Sequence, residues 1–127
     1  MTLTKNVLLA CLITVLFTSC TKKTPIQKLV EETFLLLEEK VTILETIKDK
    51  ESALAAKPKL ESVIAKLIKK CNDLNIPPDD IWSEMEYADN ERLSEYEKKW
   101  WQLFSTLRKD EEIQSILGET FEKLYNW

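Results

Sequence analysis

The stretch TPIQKLVEETFLLLEEKVTILETIKD, residues 24–49, decides the fold. Its apolar residues Val30, Phe34, Leu37, Val41 and Leu44 are spaced by four, three, four and three positions, and Leu29, Leu36 and Ile47 flank them. A helix turns once every 3.6 residues, so this spacing draws one apolar stripe along a cylinder; a strand would need strict alternation. Thr24 is suited to cap such a helix, Pro25 to occupy its first position and Gln27 to complete a capping box. The pattern predicts a helix from Pro25 to about Asp49.

Downstream, Lys48 to Ser52 reads as a turn. A second helix follows from near Glu51 to near Leu74, with Leu60, Ile64, Leu67, Cys71 and Leu74 again stepping by four and three. Pro58 lacks a backbone donor and crowds the preceding turn, so a kink or a broken first turn is expected there. Two striped helices joined by a short turn make an antiparallel hairpin. Asn75-Ile76-Pro77-Pro78 interrupts the periodicity. A third, longer helix should then be capped by Asp79 or Asp80. It runs through Ile81, Trp82 and Met85, then Leu93, Tyr96, Trp100, Leu103, Phe104 and Leu107, with a break near Asp89-Asn90. Asp110 opens a short last helix whose apolar face is Ile113, Ile116, Leu117, Phe121, Leu124 and Tyr125, weakened in the middle by Gly118. The expected fold is all-α: an antiparallel helical hairpin plus one long and one short helix, forming a small bundle over residues 25–127. The segment from Asp49 to Leu60 is similar to a stretch of small, helical, uncharacterised bacterial proteins. That likeness implies the hairpin and no activity.

Upstream, Lys5 precedes residues 7–17, which carry no charge, and Thr18 and Ser19 then lead to Cys20. This is the three-part layout of a secretory signal. Eleven helical residues span only about 16 Å, short of a ~30 Å hydrocarbon core. Leu16-Phe17-Thr18-Ser19-Cys20 resembles the lipobox of bacterial lipoproteins, with Phe17 where leucine is usual and Leu16 one step before it. The resemblance covers residues 1–20. It implies cleavage of residues 1–19, a diacylglyceryl group on the Cys20 thiol and acylation of the new amine. Leu8-Leu9-Ala10-Cys11 is a competing match with almost no apolar region in front of it. The alternatives are an ordinary signal peptide or an apolar first helix of the domain. Residues 20–24 then form the lipidated cysteine and a tether, about 14 Å long when extended, so the domain sits beside the bilayer. Thr21 after the cysteine points, by the lipoprotein sorting rule, to the outer membrane or the periplasmic face.

Charge narrows the function further. Without residues 1–19 the chain keeps seventeen bases and twenty-two acids, a net charge of −5. That argues against nucleic acid, which needs a basic footprint. Residues 20–72 carry a net +3 and residues 73–127 a net −8. There is no histidine and one glycine. Histidine triads, His-ligated zinc, Glu-x-x-His di-iron sites and glycine-rich phosphate loops are excluded, and neither a cofactor nor a catalytic residue is expected. Cys71 is left without an internal partner and reads as a small core residue, with a reactive thiol or an intermolecular disulfide as the alternatives.

Residues 79–97 hold eight acids against the single base Arg92. Their spacing matches no calcium loop, so no metal is expected there. Trp100 and Trp101 are about 100° apart on a helix, so one buried face does not easily take both. Glu84, Glu91, Glu95, Trp100 and Trp101 are therefore the candidate partner contact, with core tryptophans and a merely solvated acidic face as the equal alternative. The expectation is a non-enzymatic, lipid-anchored interaction or structural module of the bacterial cell envelope, held to the membrane by acyl chains on Cys20 and engaging a protein partner. The alternative is a membrane-anchored binding protein for a small apolar or envelope-derived ligand.

Overall fold

The structure, a computed structural model, describes residues 24–126. These form four helices: α1 (Pro25–Glu45), α2 (Lys50–Asp73), α3 (Pro78–Leu107) and α4 (Glu111–Tyr125). No strand occurs among the described residues. The small all-α bundle read from the sequence is the fold. The signal sequence and Cys20 lie outside the described residues.

Thr24 caps α1 as its chemistry requires: its Oγ1 accepts from the Gln27 N–H at 3.2 Å, and the Gln27 Oε1 accepts from the Thr24 N–H at 2.9 Å. The helix ends at Glu45, four residues before the expected Asp49. Asp49 is extended and belongs to the next helix, where its carboxylate accepts from the Ser52 N–H. A residue that caps one helix cannot continue another. The turn at Pro58 is not broken; the chain stays helical through it. Pro58 faces solvent, and burial of Ala53, Ala56, Leu60 and Val63 on the other side holds the helix together across the missing hydrogen bond. Leu74, expected on the apolar stripe, is instead the exposed cap residue of α2.

The third helix begins two or three residues earlier than a cap at Asp79 or Asp80 would set it. Pro77 is the N-cap and makes no side-chain bond, while Asp79 and Asp80 sit inside the first turn, where their charge favours the helix dipole. The break near Asp89 is real: Asp89 has φ −159° and ψ 80°. Its Oδ1 accepts from the Arg92 N–H at 3.0 Å and so restarts the helix. A straight helix would set Trp82 and Tyr96 about 21 Å apart. Their rings lie 6.1 Å apart, so the two arms of α3 fold toward each other. Asp110 caps α4 as expected, accepting from the Glu112 and Ile113 N–H groups.

The helices close a ring. α1 packs against α2 and α3, α2 packs against α4, and aromatic rings join α3 to α4. A Lys70–Glu32 ion pair at 2.7 Å fixes α1 and α2 as antiparallel. α1 and the second arm of α3 run the same way, since Arg92 meets Glu31 and Glu38 while Trp100, further on, meets Lys40. The core contains every residue of the α1 stripe, together with Leu60, Leu67, Ile81, Met85 and Leu117. Each such side chain contributes about 1.5–3 kcal/mol by leaving water.

Candidate functional site

Two seams of α3 collect the unusual side chains. The first lies between α1 and α3. Arg92 reaches across it: its Nε donates to Glu38 Oε1 at 2.7 Å, its Nη2 also donates to Glu38, and its Nη1 donates to Glu31 Oε2 at 3.2 Å. Its guanidinium also stands 4.5 Å above the Phe34 ring. Partial burial alone would lower the Arg92 pKa, but the bonds and charges of Glu38 and Glu31 outweigh it and raise it. This clasp fixes α3 on α1. It uses acids of α1, not the eight acids surrounding Arg92 in sequence.

Deeper in the same seam lies Lys40, only 3% exposed. Its Nζ is 3.9 Å from the centre of the Trp100 ring and 5.1 Å from that of Tyr96. No carboxylate lies within ion-pair distance among the described residues. Burial pushes the Lys40 amine down from 10.5 to about 7, and the ring faces, which favour the ammonium, act the other way. Burial, and secondarily the charge of Glu97, push the Tyr96 phenol up, so it stays protonated. Sequence reasoning missed Lys40. The signal was its register, four residues after Leu36 and four before Leu44, on the inward side of α1.

The second seam lies between α3 and α4. Trp101, Phe104 and Tyr125 form a triangle of rings with centroids 6.0–6.2 Å apart. Together with Phe121, Arg108 and Gly118 they line an open groove of about 470 Å³. Trp101 is 48% exposed and Tyr125 60% exposed, although Tyr125 was expected on the buried face. Arg108 lies over Phe104 at 5.5 Å.

The five expected contact residues do not form one surface. Trp100 is a correction: at 6% exposure it is core, covered by α1, and offers nothing to a partner. Trp101 is the ring left exposed. Glu84, Glu91 and Glu95 are all exposed. Glu95 lines the groove on the α1 side of α3, whereas Trp101 lines the groove on the α4 side. Six residues of helix rotate by about 240°, so Glu95 and Trp101 look in different directions. Cys20 lies outside the described residues.

Cys71 is buried and its thiol pKa is raised by that burial, so the nucleophilic thiolate is disfavoured. Among the described residues no three acid or cysteine side chains converge to hold a metal ion, and no helix is long and apolar enough to cross a membrane. No protein-family model matches the chain, and no curated protein or solved structure gives a significant match.

Proposed function

We propose that the chain is a lipid-anchored, non-enzymatic interaction or structural module of the bacterial cell envelope, attached through acyl chains on Cys20. One observation carries this reading. The charged start, uncharged run and small-small-cysteine ending of residues 5–20 stop four residues short of the capping box at Thr24. An anchor followed at once by a self-capped bundle is the layout of a domain displayed at a membrane surface. Two or three acyl chains, at about 0.8 kcal/mol per buried methylene, hold such a domain firmly. The exposed ring of Trp101 is the natural place for a protein partner, because a desolvated tryptophan often supplies much of an interface's affinity. The reading as a binding protein for a small apolar ligand rests on the same groove. Its open side favours a protein surface over an enclosed ligand.

The test is metabolic labelling with a fatty-acid analogue followed by membrane fractionation. Cys20→Ala should lose the label, accumulate uncleaved precursor and retain the bundle's helical circular dichroism. Unchanged labelling in Cys20→Ala, with loss in Cys11→Ala, sinks the assignment.

A further inference from the structure

We propose that Lys40, enclosed between α1 and the second arm of α3 against the rings of Trp100 and Tyr96, is a proton-controlled latch: the neutral amine lets the seam close and the ammonium loosens it. The inference is independent of where the chain is anchored.

The geometry sets up the conflict. An ammonium carries three donors, and none finds an acceptor among the described residues. Ring faces attract a cation but accept its hydrogen bonds poorly. A neutral amine makes no such demand and packs as a long aliphatic chain with a weakly polar end. Protonation therefore favours movement of the amine toward water. Lys40 packs directly on Trp100, so it cannot leave without disturbing that ring.

The surrounding charges do not relieve the ammonium. The groove between α1 and α3 is lined by Glu38 and Glu45 from α1 and Arg92, Glu95 and Lys99 from α3, and Lys40 does not line it. Glu38 is already committed to Arg92. From α3, Glu97 lies close enough to act on the Tyr96 phenol and makes no ion pair with Lys40. α2, the other neighbour of α1, places Lys70 against Glu32, about 12 Å along the axis from Lys40.

The folded amine titrates near 7 and the unfolded one near 10.5, so between these values the unfolded chain holds a proton that the folded chain lacks. Stability therefore rises with pH across that window, by up to about tenfold in the folding constant per pH unit, and levels off below it. Cys71 and Tyr96, both raised by burial, act in the opposite sense at higher pH. The useful window is thus about pH 6.5 to 8.5.

The experiment is denaturant unfolding of the full chain in detergent across that window, for the wild type and Lys40→Met. The wild type should gain stability with pH; Lys40→Met should be flat and more stable at pH 6.5. A wild type without slope, or a variant that keeps the slope, overturns the proposal. A second readout needs no unfolding and no stable variant: selective ¹³C labelling of lysine side chains. One lysine resonance should titrate near neutrality, in step with a change in tryptophan emission. Titration of every lysine above pH 10 overturns the latch even if Lys40→Met fails to fold.

Discussion

Trp100 and Trp101 are neighbours in sequence and strangers in environment. Trp100 faces α1, loses its water and stacks on Phe104 at 4.8 Å while lying beside Lys40. Trp101 faces α4, stays half in solvent and meets Phe104 and Tyr125 edge-on. Identical side chains one step apart therefore do different work, and the helix rotation of 100° is the whole cause. The inner seam stabilises the fold and carries the titratable group. The outer seam presents a surface.

Three substitutions break or sharpen this contrast. Trp100→Ala should cost about 3–5 kcal/mol, because it opens a cavity in the core and removes the ring beside Lys40. Chemical denaturation reads it, and a loss below about 1 kcal/mol would mean that the inner seam is not a core. Arg92→Met keeps an aliphatic stem over Phe34 but removes the bonds to Glu31 and Glu38 of α1. The expected loss is about 1 kcal/mol, shrinking in high salt, since the partners are half exposed. A salt-independent loss would assign the effect to packing instead. Trp101→Ala should change stability by no more than about 0.5 kcal/mol. It should also remove much of the tryptophan fluorescence that acrylamide quenches. Equal quenching before and after the change would erase the distinction between the two rings.

The helices were legible because burial writes itself into spacing. The α1 stripe, the capping box at Thr24, the cap at Asp110 and the break at Asp89 all follow from local chemistry. Pro58 does not break its turn, because a proline on an exposed face removes one hydrogen bond while the packed face keeps its contacts. The α1–α3 seam was not legible. Nothing in the residues around Arg92 says that it pairs with acids 54 and 61 positions earlier. Which helices become neighbours depends on the path of the chain after the kink, and no periodicity records that path. Lys40 stood in the apolar register of α1 throughout. A charged residue in such a register is usually read as an edge position, because lysine stems can cover apolar surface while the charge stays wet. Only the arrival of Trp100 and Tyr96 from a distant helix closes the way to water.

That distance along the chain gives the seam a place in time. The α1–α2 hairpin joins through a turn of four residues, 46–49, and needs nothing further downstream. The clasp must wait until α2 and the first arm of α3 have been laid down. Short-range contacts form faster than long-range ones, so the hairpin assembles with Lys40 still hydrated and charged. When the second arm of α3 docks above neutral pH, the side chain gives up its proton to solvent. Completion of the bundle is then an acid-releasing step, and calorimetry of refolding in buffers of different ionisation enthalpy would count that proton.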